Sequence, residues 1–150
     1  MKEIITYKGY IRDLLNLKNL NEEYKIITYN SEKHKKKLMD LHEEIFQGES
    51  LELNWDKVEN FYEKGIFIVK NKEEYIAFII VYLIKGKIYL AKFGVKEKYT
   101  NKAIAKTLIV EVAKHFNNLS YEKIYVEVND NTLEDFFIKL GFKKIDFLAF

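Results

Sequence analysis

GVKEKYTNKAIAKTLI, residues 94–109, joins two kinds of pattern. KIYLAKFGV (87–95), which runs into it, reads as a strand, and from Lys102 onward the chain reads as a helix. The junction between them is built of small and polar residues. A helix start leaves its first N–H groups without intrahelical partners and carries partial positive charge. Where a strand feeds straight into such a start, the amides make a place for an anion, and nearby side chains must be small. Ala103 and Ala105 meet that need, and Asn101 suits a left-handed turn. Thr100 can cap the helix and donate a hydroxyl hydrogen bond, while Lys102 and Lys106 add positive charge. The stretch therefore suits a phosphate or pyrophosphate. A plain helix start would use the same residue types, with Thr or Asn as cap, Ala as helix former and Lys facing water.

Downstream, Ile104, Leu108, Val112 and Phe116 form an i, i+4 stripe on the helix. KIYVEV (123–128) reads as a strand. TLEDFFIKL (132–140) reads as a short helix with Leu133, Phe136, Phe137 and Leu140 inward and Gly141 at its end. FKKIDFLAF (142–150) reads as a last strand. Upstream, IFIVK (66–70), YIAFIIVYLI (75–84) and KIYLAKFGV are separated by Asn71-Lys72 and Lys85-Gly86, which predicts an antiparallel meander. EYKIITYN (23–30) is a strand, followed by a helix capped by Ser31 with Leu38, Leu41 and Ile45 inside. A second short helix is expected over 54–64, with Trp55, Val58 and Phe61 or Tyr62 inward and Gly65 at its end. In residues 1–20 the pattern is weakest: Lys8-Gly9 fits a hairpin turn, or the segment passes through one turn of helix. The strands at 87–95 and 122–128 are joined through a helix, so they are expected to be parallel.

Composition narrows the classes. The chain has 150 residues, 48% hydrophobic and 32% charged, which fits one globular domain. It has no Cys, which excludes disulfides, thiolate metal sites and a cysteine nucleophile. No apolar run in the first residues is long enough for a signal peptide or a membrane span, so the protein is read as soluble and cytoplasmic, with no membrane partner. A net charge of +2 lacks the basic bias of a nucleic-acid binder, and no nucleic-acid partner is expected. Asp40, His42, Glu43 and Glu44 have no spacing that closes on a metal; none is expected, and His42 is read as a surface residue. His34-Lys35-Lys36-Lys37 reads as a solvated face.

VKEKYTNKAIAKTL resembles motif A of the GNAT-family N-acetyltransferases, Q/R-x-x-G-x-G/A. Thr100-Asn101-Lys102-Ala103-Ile104-Ala105 fills that frame, with Thr100 where Gln or Arg is usual and Ala103 where Gly is usual. VNDNTLEDFFIKLGF (128–142) is similar to the family's second landmark, N-x-x-A-x-x-[LF]-Y-x-K-x-G-F, through Phe136, Lys139, Leu140, Gly141 and Phe142. The resemblance covers roughly residues 23–147. It implies an α/β fold of the α+β type: one domain over 1–150, with 1–22 an N-terminal extension and 23–150 the core. The sheet would be mixed, mostly antiparallel, with six to seven strands flanked by about four helices.

The resemblance also implies a reaction, transfer of an acetyl group from acetyl-CoA to an amine. Its strands corresponding to 87–95 and 122–128 splay apart around the pantetheine arm. Backbone groups of Phe93, Gly94 and Val95 would bind that arm, and the amides of Thr100, Asn101, Lys102, Ala103, Ile104 and Ala105 the pyrophosphate. Asn131 would lie near the pantetheine and Phe137 near the thioester. The family often carries a Tyr at the Phe137 position as proton donor to the leaving thiolate, and Phe cannot donate. Candidate substitutes are Tyr89, expected on one strand face with Ala91, Phe93 and Val95, and Tyr125 and Glu127 on the neighbouring strand. Each of these is equally what strand packing would place there.

Two functions follow: an acyl-CoA-dependent N-acyltransferase acting on a small or peptide amine, or a GNAT-fold module that binds acyl-CoA without turnover. Glu44, Glu49 and Glu52 could make an acidic acceptor rim. Many relatives end in two strands after the Gly-Phe landmark, whereas eight residues follow Phe142 here. Phe147, Leu148 and Phe150 would then need a cover, either the N-terminal KEIITY segment or a second subunit in a homodimer.

Overall fold

The computed structural model of the protein describes residues 4–47 and 62–145. Its elements are β1 (Ile5–Tyr10), α1 (Ile11–Leu14), β2 (Lys25–Thr28), α2 (Ser31–Ile45), β3 (Phe67–Asn71), β4 (Glu74–Ile84), β5 (Lys87–Val95), α3 (Ile104–Asn117), β6 (Lys123–Val128), α4 (Asn131–Lys139) and β7 (Lys143–Lys144). Single 3-10 turns at Glu63–Gly65 and Glu97–Tyr99 precede β3 and α3. The strands form one seven-stranded sheet in the order β2-β3-β4-β5-β6-β1-β7. Every neighbouring pair is antiparallel except β5–β6. This is the mixed, mostly antiparallel sheet of an α+β domain, flanked by four helices among the described residues. No helix among the described residues is long and apolar enough to cross a membrane.

The β4–β5 hairpin closes through Lys85 and Gly86, both left-handed (φ 50° and 76°), the pairing of signs that matches strand twist. Side chains alternate across the sheet. Phe67, Val69, Ala77, Ile79 and Val81 face α3, whose Ile104, Leu108, Val112 and Phe116 are all buried. Ile66, Ile68, Phe78 and Ile80 face α2 through Leu38 and Leu41. Of the helix expected over 54–64, residues 54–61 with Trp55, Val58 and Phe61 lie outside the described residues, as do Glu49, Glu52, Phe147, Leu148 and Phe150; its end, Glu63–Gly65, is a 3-10 turn.

Four readings are corrected. Asn30, not Ser31, caps α2: its side chain accepts from the N–H groups of Glu32 (3.0 Å) and Lys33 (3.2 Å). His42 is not on the surface; it is fully buried, 4.7 Å from the Phe46 ring and 5.8 Å from Phe78. Leu133 is exposed at the start of α4, whereas Phe137 and Leu140 are buried. Lys8-Gly9 makes no hairpin turn, because both lie in β1; the one turn of helix expected as the alternative in residues 1–20 is α1, Ile11–Leu14. Strand β1 runs inside the sheet, pairing β6 on one side and β7 on the other. The last strand is therefore met by the chain's own N-terminal segment. Glycine is needed at 9 for packing, since a Cβ there would come within 2.7 Å of the Phe142 ring.

Candidate active site

After β5 the chain makes its 3-10 turn and then uses two left-handed residues, Asn101 (φ 65°) and Ala103 (φ 59°), before α3 begins. For Asn this conformation is cheap; for Ala it costs about 1 kcal/mol. Thr100 does not cap the helix. Its hydroxyl donates to the Glu97 carbonyl at 2.9 Å, and α3 has no side-chain cap and no acid in its first turn. The N–H groups of Ile104, Ala105 and Lys106 thus begin a 14-residue helix with no helical acceptor and no competing carboxylate on that turn. Asn101 and Lys102 are exposed beside them.

A segment with no motif of its own holds this junction. Asn21 donates its side-chain amide to the Lys102 carbonyl (3.0 Å), and its backbone N–H to the Thr107 hydroxyl (2.8 Å). Lys106 donates to the Lys18 carbonyl at 2.7 Å, so its ammonium is tied down at the flank of the turn. From below, the Tyr99 hydroxyl donates to Glu74 (2.8 Å), and Lys96 bridges Glu74 (3.2 Å) and Glu44 (3.0 Å). The Tyr99 hydroxyl and the lysines hold the Glu74 carboxyl below the usual carboxylate range. Glu44, Glu74, Val95, Lys96 and Thr100 line an open cavity of about 550 Å³ beside the turn. Sequence reading missed Asn21, Glu74 and Lys96 because their contacts are long-range and belong to no local pattern.

The second feature is a fork. β5 and β6 pair only from Ile88↔Ile124 to Leu90↔Val126. Beyond that point β5 continues on β4 to Val95 and β6 continues on β1 to Val128. Phe93, Gly94 and Val95 are left with one backbone edge that has no strand partner among the described residues.

A bulge at Ala91, between the pairs Val81↔Leu90 and Ile80↔Lys92, shifts the alternation by one. Ile88 and Leu90 before it, and Phe93 and Val95 after it, all pack on the α3 side; Ala91 packs on the α2 side. Tyr89 therefore does not share a face with Phe93 and Val95, correcting the simple period-2 reading. Gly94 also faces α2: a Cβ there would meet Ile45 Cγ2 at 2.9 Å. Its lack of a side chain serves the close approach of α2.

The β5–β6 register puts the three candidate polar groups on one face, since Tyr89 pairs with Tyr125 ahead of the bulge. The Tyr89 and Tyr125 rings lie 5.5 Å apart, and Glu127 is exposed two residues further along β6. Burial, then Glu127 and Tyr125, push the Tyr89 hydroxyl above its ordinary value, which keeps it a protonated donor at neutral pH. Phe137 is on the other face. It is fully buried, with Phe93, Phe136 and Phe142 rings at 5.7, 5.2 and 5.1 Å. Asn131 is exposed in the first turn of α4, where Asp130 is the cap, accepting from Thr132 (2.7 Å) and Leu133 (3.1 Å). Among the described residues no group of three or more His, Asp or Glu is placed to hold a metal.

The family model for the acetyltransferase (GNAT) family matches residues 35–142. None of the curated proteins matches the sequence. Among solved structures, a GCN5-related N-acetyltransferase from Sphaerobacter thermophilus is similar over 96% of this chain, at 14% identity and a TM-score of 0.76. The match takes up 49% of that protein, so the chain spans about half its length. The ribosomal-protein-S18-alanine N-acetyltransferase from Escherichia coli is similar over 82% of this chain and 79% of its own, at 12% identity and a TM-score of 0.67. AAC(6')-Iy, solved with a bisubstrate analogue, CoA-S-monomethyl-acetylneamine, is similar over 85% of this chain and 95% of its own, at 17% identity and a TM-score of 0.66.

Proposed function

Because the chain belongs to the acetyltransferase (GNAT) family, we propose that it transfers an acetyl group directly from acetyl-CoA to the nitrogen of an amine acceptor. The observation that carries the reading is the fork between β5 and β6 opening beside the uncapped start of α3. The free edge of Phe93–Val95 suits the amide-bearing pantetheine arm as an added strand would. The first-turn amides of α3, with Asn101 and Lys102, suit the pyrophosphate. Similarity to AAC(6')-Iy, whose structure holds a CoA-linked analogue, supports the same donor.

Transfer needs two proton movements. An alkylammonium with a pKa near 10 is about 99.9% protonated at neutral pH and must lose a proton first. Its nitrogen then attacks the thioester carbon, the C–S bond breaks, and the thiolate takes a proton from the donor, which regains one from the nitrogen as the amide forms. Glu127 is assigned the acceptor role for the first proton, through solvent. Tyr89 or Tyr125 is assigned the donor role for the second, each role being worth on the order of 10²–10⁴-fold.

A second reading rests on Phe137. A chain with a buried Phe where relatives often carry the donor Tyr could bind acyl-CoA without turnover. Release of free CoA thiol from acetyl-CoA across a panel of primary amines separates the two. Amine-dependent release supports transfer. A melting shift with CoA but no release supports the binding module. Neither result would leave a fold that has kept neither property.

A further inference from the structure

The sheet register builds a site that no single strand displays. Read across neighbouring strands, Tyr82, Tyr89, Tyr125, Lys8 and Lys143 are successive partners on β4, β5, β6, β1 and β7. Partners share a face, so these five side chains form one lateral row on the α2 side of the sheet. The row sits at the base of the fork, next to the last β5–β6 pair. One step into the fork, on the same face, Glu127 pairs with Thr6; one step the other way, Lys123 pairs with Tyr10.

Glu127 is the one carboxylate among the described β1, β5, β6 and β7 residues on this face, and it stands at the fork, where Lys92 of β5 lies over the Phe46 ring at 4.5 Å. Lys8, Lys123 and Lys143 stand on the other side of Glu127, with Lys87 over the Tyr125 ring at 5.4 Å. Lys8, Arg12 and Lys123 surround the Tyr10 ring at 5.2, 5.4 and 5.9 Å. A hydrogen bond with Lys8, followed by the neighbouring cations, pulls the Tyr10 hydroxyl below its ordinary value, a sign of positive potential at this end of the row.

We propose that the acceptor is an amine that also carries an anionic group, a carboxylate or phosphate monoester, with Glu127 facing its ammonium and Lys8 and Lys143 holding its anion. The inference rests on the acetyl-transfer reading and names the substrate class for that site. Glu127 and Lys8 are diagonal neighbours on paired strands, about 7–8 Å apart. Lys143 lies one strand spacing further, about 5 Å. An aliphatic chain of about six atoms between amine and anion spans the pair.

The test compares 6-aminohexanoate and 6-aminohexyl phosphate with the neutral 6-aminohexanamide as acceptors, read by thiol release. At least one anionic acceptor should have a KM about tenfold or more below that of the amide, as a charged hydrogen bond implies, with similar kcat. The preferred member identifies carboxylate or phosphate as the source. Lys8→Glu with Lys143→Glu should bring the KM ratio close to one while the melting shift with CoA remains. Equal KM values in the wild type, or a ratio that survives charge reversal, overturn the inference and leave acetyl transfer standing. If no amine releases thiol, the transfer reading fails. Calorimetry of 6-aminohexanoate and 6-aminohexyl phosphate with the CoA-loaded protein still decides this inference: binding lost on charge reversal supports it, and no binding of either overturns it.

Discussion

Phe137→Tyr adds one oxygen to a ring with no exposed surface, set among the Phe93, Phe136 and Phe142 rings at 5.1–5.7 Å. From sequence alone, Tyr here would restore a family proton donor. The packing gives a different expectation. A hydroxyl buried without a partner costs about 1–3 kcal/mol. For a chain of this size each kcal/mol lowers Tm by about 2–4 °C, so the variant should melt roughly 2–12 °C lower. Its turnover should stay within a few-fold of wild type, because the hydroxyl points among apolar rings while Tyr89 and Tyr125 lie across the sheet. Differential scanning calorimetry and thiol-release kinetics on the same preparation check both parts. An unchanged Tm together with a rise in kcat of about 100-fold or more, the lower end of a proton-donor effect, would refute the reasoning. That result would mean the ring's far edge opens on the fork and the donor was simply missing.

Gly94→Ala should destabilise by about 1–3 kcal/mol, an overpacking cost, because its Cβ would lie 2.9 Å from Ile45 Cγ2; Ile45→Ala, which removes that methyl, should cost less stability in the Gly94→Ala background than on its own, read by urea titration. Glu74 has a depressed folded-state pKa, so its stabilisation is present above the unfolded value and is lost as pH falls through about 4.5 and below. Urea midpoints from pH 7 to 3 should therefore fall less steeply for Glu74→Gln, the two proteins converging in acid; parallel curves would remove Glu74 from the turn's stability.

Much of the fold was legible because local rules sufficed. The meander from β3 to β5 follows from apolar runs broken by Asn71-Lys72 and Lys85-Gly86, and α3 from its unbroken stripe. What failed was what depends on a distant partner. Gly9 looked like a turn residue, yet its missing side chain makes room for Phe142, 133 positions away in sequence. His42 sits among charged neighbours in sequence, but helix geometry turns it onto Phe46 and Phe78. At the site, Asn101 was readable as a left-handed position from residue type alone; Ala103, read only as a small residue, was not, because alanine has no preference for that conformation. The face of Tyr89 was not, since one extra residue at Ala91 reverses a period-2 pattern without any mark in composition. The tyrosine–lysine row was invisible because each of five strands contributes only one of its members.

The central claim is that the fork and the start of α3 together bind the CoA moiety, and thermal melting with CoA tests it most directly. At about 100 times its dissociation constant a ligand adds roughly 2.7 kcal/mol, which corresponds to a rise in Tm of about 5–11 °C. Ala103→Glu, which places bulk and negative charge at the residue leading into α3, should remove that rise while leaving the ligand-free protein folded. A shift in the wild type that is lost in the variant is the predicted result; no shift at millimolar CoA, or an equal shift in both proteins, contradicts the account.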